Sequence, residues 1–164
     1  MIRFEKVSYA QYKKDCFHPE TQTEEENRRE YDAIPLPARG TKKSAGYDFY
    51  APRRILLLPG DALTVHTGIR ILLEDDLFLG VYPRSGLGFK YRMGLANTVG
   101  IIDADYSHAE NEGHIAIKLV NNGLDALDIP KGKAFAQGII QKYYLTDDDS
   151  ASAERIGGFG STDA

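Results

Sequence analysis

The chain has 164 residues, a net charge of −4 and one cysteine, Cys16. That length suits one domain that buries about 68–70% of its unfolded surface without a disulfide scaffold, and a lone cysteine fits a reducing, cytoplasmic setting. The acidic balance argues against a nucleic-acid duplex as partner, and no stretch approaches the roughly 20 apolar residues of a membrane span.

Residues 1–33 read as a charged N-terminal extension. "MIRFEKVSYAQYKKD" has no apolar core, so no signal peptide is expected. The run after Thr21, "TEEENRREYDAI", predicts an exposed helix: its carboxylates come first and Arg28 and Arg29 follow, which suits the helix dipole.

Residues 34–146 read as strands. "RRILLLPGDALTVHTGIRILL" holds β-branched runs broken by Pro59-Gly60-Asp61, a turn signal. "LFLGVYP", "HIAIKLVNN" and "KGKAFAQGIIQKYY" alternate with period two, which puts Ile115, Ile117 and Leu119 on one face. Many short strands separated by turns imply an all-β sandwich or barrel. One short helix is expected at "SGLGFKYRMG", with Ser85 as its N-cap. Residues 147–164 change character. An acidic, small-residue linker leads into "RIGGFGST", which has too little apolar content to pack alone and is expected to be flexible.

Five stretches carry candidate chemistry. In "SAGYDFY", Gly46 loosens the backbone before Asp48, a carboxylate suited to contact a metal-bound polyphosphate through water. In "YPRSGLG", Arg84, Ser85 and Gly86 open a helix with N–H groups, a hydroxyl and a guanidinium, an anion site. In "NTVGIIDADYSHAENEGHI", a hairpin beginning at Asn97 lets Gly100 bring the backbone close to a flat base, with Asp103 at the end of the apolar run and Tyr106 placed against a sugar. Gln137 lies between alanine and glycine in a strand, where small neighbours leave room for a ligand. In the tail, Phe159 is suited to stack on a base, while Arg155, Ser161 and Thr162 meet phosphates.

In this order, "SAGYDFYAP", "PRSGLG", "NTVGIIDADY" and "GGFGST" resemble the motifs of the trimeric deoxyuridine triphosphatase (dUTPase) family, over roughly residues 34–164. The resemblance implies a jelly-roll β-barrel with one short helix and a flexible C-terminal arm. It implies a homotrimer whose active sites are shared between chains. The reaction it implies is hydrolysis of dUTP to dUMP and pyrophosphate, with Mg2+ held mainly by triphosphate and water. Carried over by position, Arg84, Ser85 and Gly86 hold phosphates. Asn97, Gly100, Ile101 and Ile102 form the uracil hairpin, with Ala116 on its return strand. Asp103 is the general base, Tyr106 the sugar platform, Gln137 a phosphate-side donor and Asp48 an indirect metal contact. Phe159 is the stacking ring of the tail, with Arg155, Gly160, Ser161 and Thr162 at the phosphates.

The chain departs from that pattern at three places. The hairpin carries extra residues, "SHAENE", before Gly113; "GKAFAQ" lacks the family's acid and arginine; and Arg155 lies four residues before Phe159, where five is commoner. Two other functions fit parts of the sequence. A dCTP deaminase resembles "RSGLG" and the strand after "GHI", but Lys118 stands where its catalytic glutamate would be. A regulatory nucleotide-sensing protein would use the insertion or the N-terminal extension to hold a protein partner.

Overall fold

The structure, a computed structural model, describes residues 1–153 and 157. Its elements are β1 (Arg3–Lys6), α1 (Tyr9–Cys16), α2 (Glu24–Asp32), β2 (Ala38–Arg39), β3 (Tyr47–Tyr50), β4 (Ile55–Leu57), β5 (Ala62–His66), β6 (Ile69–Leu72), β7 (Leu77–Pro83), α3 (Ser85–Tyr91), β8 (Met93–Leu95), β9 (Gly100–Asp103), a 3-10 turn (Ala104–His108), β10 (Ala116–Asn121), β11 (Leu127–Ile129) and β12 (Ala134–Lys142). The fold is mostly strand, as the alternation predicts. No helix among the described residues is long and apolar enough to cross a membrane.

The strands form four hydrogen-bonded sheets around one core rather than a single closed ring. Their orders are β1-β6, β5-β10-β8, β11-β4 and β2-β3-β12-β7-β9. Alternation decides which residues enter the core. Ile115, Ile117 and Leu119 are 0, 3 and 0% exposed, and they meet Phe49, Leu79 and Phe135 from the five-stranded sheet in one buried cluster. Each such side chain contributes about 1.5–3 kcal/mol on burial. The Pro59-Gly60-Asp61 turn forms between β4 and β5, with the Asp61 N–H donating to the Leu58 carbonyl at 3.0 Å.

The N-terminal extension is built into this body. β1 pairs antiparallel with β6, setting Phe4 opposite Ile71. The predicted helix is α2, started by a reciprocal capping box between Thr23 and Glu26. It is not exposed all round, however: Asn27 and Glu30 are buried. Glu30 accepts from the Tyr12 hydroxyl at 2.5 Å and from Arg53 at 2.7 Å. α1 has no counterpart in the sequence expectations. It stands because Ser8 caps it by accepting from the Gln11 N–H, and because Tyr12 and Cys16, four residues apart, put two apolar groups on one face.

Candidate active site

The stretch from Asn97 to Ile115 corrects the expected hairpin: β9 and its return strand β10, which carries Ala116, are not ladder partners. A tight turn precedes β9, where the Thr98 N–H donates to the Leu95 carbonyl at 3.0 Å, with Thr98 at φ 67°. The strands on either side of that turn join different sheets. β8 pairs with β10, and β9 pairs with β7. β8 and β9 are each the last strand of their sheet. Local alternation is satisfied by either partner, so the sequence could not distinguish a ladder from a fork.

The fork opens a cleft of about 380 Å³. Asn97, Gly100, Ile101, Ile102 and Ala116, five of the residues picked from the sequence, line it together. Gly100 packs closely here: a Cβ on it would crowd Val81, at 3.2 Å from its Cβ. A sheet edge carries a row of backbone N–H and C=O groups that no further strand takes up. Two such edges flank the cleft, which suits a planar group read through its own donors and acceptors. Thr64, Val81, Leu95 and Lys118 also line it. Of these, sequence reasoning singled out only Lys118, and for a different reason. Lys118 and Thr64 sit directly opposite each other across β10 and β5.

Asp103 ends β9, opposite Phe78 of β7, and is exposed. The 3-10 turn that follows carries Tyr106 inward. Tyr106 is 5% exposed; its hydroxyl donates to the His114 carbonyl at 3.0 Å and accepts from the Asn111 amide at 2.8 Å. It therefore packs into the core just beyond β9 and is not among the residues lining the cleft.

A second group gathers at the start of α3. Arg84, not Ser85, is the N-cap, and no side chain caps the helix. Arg84 is drawn elsewhere: its Nε lies 3.0 Å from Asp48 Oδ1, and its Nη1 donates to the Ala134 carbonyl at 3.4 Å. Ser85 and Gly86 are exposed at the first turn. Gln137 stands opposite both Asp48 and Tyr82 in the ladder, and its amide donates to the Pro83 carbonyl at 3.1 Å. A Cβ at Gly46 would meet the Gln137 carboxamide, so that glycine leaves room for the Gln137 side chain. Arg84, Ser85 and Gln137 line one open cleft with Tyr82.

The two groups lie on opposite faces. Val81 lines the first cleft and Tyr82 the second, and consecutive strand residues point to opposite sides. Arg155, Phe159, Gly160, Ser161 and Thr162 lie outside the described residues.

The chain is similar to known dUTPases in sequence and in fold. The sequence model of the dUTPase family matches residues 32–163. The deoxyuridine 5'-triphosphate nucleotidohydrolase of Lactococcus lactis subsp. lactis is 36% identical over 134 residues, covering 80% of this chain and 89% of that protein. The crystal structure of dUTPase from Streptococcus mutans is similar with a TM-score of 0.64 at 27% identity, covering 88% of this chain and 98% of that one. A mutant dUTPase from phage phi11 of S. aureus shares the fold, with a TM-score of 0.66 at 16% identity over 93% of this chain and 97% of that one. Its structure describes the coordination of a structural Mg(II) ion.

Proposed function

The chain belongs to the dUTPase family and is a dUTP diphosphatase, and we propose that Asp103 orients and deprotonates the water that attacks the α-phosphorus of dUTP in line. The observation that carries this reading is the convergence of Asn97, Gly100, Ile101, Ile102 and Ala116 on one cleft, with Asp103 at the far end of the same strand.

Uracil would enter the cleft between the two sheet edges. It offers an N3–H donor and an O4 acceptor, and cytosine reverses both. A site built for one pattern rejects the other by about 10⁴–10⁵. Thymine is excluded by its methyl group against a stiff strand, and the β-branched Ile101 and Ile102 supply stiffness. Tyr106 forms the wall on the sugar side. The arrangement also disfavours deamination, because Lys118, an ammonium, lines the cleft where that chemistry needs a carboxylate.

The phosphates would meet Arg84, Ser85, Gly86 and Gln137. Asp48 fits a single water-mediated contact to Mg2+. Among the described residues no trio of ligand side chains gathers at Asp48, so an ion there would lean on phosphate oxygens and water, as Mg2+ commonly does. When bound, Mg2+ would neutralise charge on the phosphates and on the leaving pyrophosphate. Arg155, Gly160, Ser161 and Thr162 would add donors around that charge, and Phe159 would cover the base.

A homotrimer with shared sites is part of the proposal. Its support is that the base cleft and the phosphate group face opposite ways on β7 of one chain, so that each needs its complement from a second copy. Leu56, Leu58 and Leu63, at 50, 55 and 40% exposure, offer apolar surface for assembly.

Pyrophosphate release from dUTP, dCTP, dTTP and UTP, measured side by side, tests the whole reading. Release from dUTP alone is expected. Comparable release from all four would remove the base-reading cleft from the mechanism, and ammonia release from dCTP would restore the deaminase.

A further inference from the structure

The N-terminal residues 1–31 precede the segment matched by the family model, and they and residues 107–112 hold each other. Ser8 donates to the Glu112 carboxylate twice, from its N–H at 2.7 Å and from its hydroxyl at 2.6 Å. Glu112 sits at φ 58°, a left-handed conformation that a non-glycine residue keeps where its surroundings impose it.

Two turns along α1 from Ser8, Asp15 Oδ2 lies 2.6 Å from His114 Nδ1. His114 is 1% exposed. Its other nitrogen, Nε2, accepts the Gly68 N–H at 2.8 Å. An acceptor at Nε2 puts the proton on Nδ1, from which it is donated to Asp15. Both imidazole nitrogens are thereby used. Asp15, His66 and His114 offer ligand atoms within 4.8 Å of one another, but this hydrogen bonding makes them a brace rather than a metal centre.

His114 touches both walls of the nucleotide site. Its backbone carbonyl accepts from the Tyr106 hydroxyl, and the Asn111 side chain of the insertion donates to the same hydroxyl while its Oδ1 accepts the Gly113 N–H. Its ring packs 5.5 Å from that of His66, and His66 is the ladder partner of Ala116 in the cleft.

We propose that the N-terminal extension is an internal brace for the nucleotide site, in which Asp15 and His114 are positioning residues that fix Tyr106 and the start of β10 and so set affinity and sugar selectivity. The inference rests on the reading of Tyr106 as the sugar-side wall.

The test compares dUTP and UTP turnover in the full-length protein and in Asp15→Ala, Asp15→Asn and Tyr106→Ala. Asp15→Ala should raise KM for dUTP and narrow the dUTP-to-UTP ratio of kcat/KM, by between a few-fold and about 10²-fold, the range a small misplacement costs. Asp15→Asn keeps an acceptor for the Nδ1 proton and should recover most of the ratio. An effect confined to melting temperature or active fraction, with KM and ratio unchanged, would overturn the brace. Should Asp15→Ala fail to fold, Ser8→Ala removes the hydroxyl bond to Glu112 and the side-chain cap of α1 together, which loosens α1 as a whole, and is judged by the same ratio. Tyr106→Ala separates the two readings. An unchanged ratio there overturns the sugar wall itself; a changed ratio there beside an unchanged one in the folded Ser8 or Asp15 variants overturns the brace alone.

Discussion

Arg84 Nε lies 3.0 Å from Asp48 Oδ1, tying the start of α3 to β3. One of these groups is proposed to hold phosphate and the other to contact a hydrated cation, and in the chain itself they satisfy each other. Binding a metal triphosphate therefore exchanges partners: the guanidinium gains phosphate oxygens while the carboxylate gains metal-bound water. Asp48→Asn should raise the Mg2+ concentration needed for half-maximal turnover, on the scale of the 10–100-fold that loss of an outer-sphere contact typically costs. Initial rates of pyrophosphate release across a Mg2+ titration measure it. An unchanged midpoint would assign Asp48 to holding Arg84 and nothing more.

Asp103→Asn separates binding from chemistry. The substitution keeps size and removes the proton acceptor, so dUTP should still bind while turnover falls by about 10²–10⁴-fold. Equilibrium binding and single-turnover rates on one preparation distinguish the two. Turnover within a few-fold of the unsubstituted protein would move the base elsewhere.

Much of this site was legible because its residues are local. Asn97 to Ile102 fall in one short stretch, and the period-two pattern of β10 put Ile117 and Leu119 inside and left Ala116 on the other face. What the sequence did not disclose is long-range. Alternation reports which face of a strand is buried but not which strand lies beside it, so β9 and β10, which join different sheets, read as the two arms of one hairpin. α1 escaped because two buried side chains, Tyr12 and Cys16, are too sparse a pattern to mark a helix face. Ser85 has the right chemistry for an N-cap, yet the helix starts one residue earlier, with Arg84 at the cap position and its side chain on Asp48. The insertion "SHAENE", considered as a surface for a protein partner, is held at its last residue, Glu112, by this chain's own Ser8.

The brace gives the fold a predictable acid sensitivity. Burial holds the imidazoles of His114 and His66 below their usual range; for His114 the Asp15 carboxylate pulls the other way and does not win. Asp15 and Glu112 face His114, and Asp15, Arg53 and His18 face His66. In the fold both rings stay neutral where the unfolded chain, titrating near 6.5, takes up protons. The unfolded state then binds more protons, so stability falls as pH drops below about 6.5. Each ring contributes at most about 1.4 kcal/mol per pH unit. Asp15 is shifted down, hydrogen bonds from Gln11 and His114 outweighing its burial, so its own contribution is lost only at far lower pH. Melting temperature should hold from about pH 8 to 7 and decline towards pH 5, less steeply in His66→Gln. A flat profile through that window would mean that both rings titrate as they do in the unfolded chain.

Ala116 tests whether the cleft reads the base. Its neighbours Ile117 and Leu119 are buried in the core, while Ala116 itself is only half-buried and lines the cleft. A larger side chain there enters space meant for ligand rather than the packed interior. Ala116→Leu should therefore melt close to the unsubstituted protein, since no core side chain is displaced. Its kcat/KM for dUTP should fall by at least the 10–200-fold that one misfitted methylene costs in a pocket, mostly through KM, because Asp103 and the phosphate-side groups are untouched. The converse result is equally informative. If Ala116→Leu turns over dUTP normally, the base does not occupy the space between β9 and β10. If it unfolds, Ala116 belongs to the core and the cleft is a packing defect.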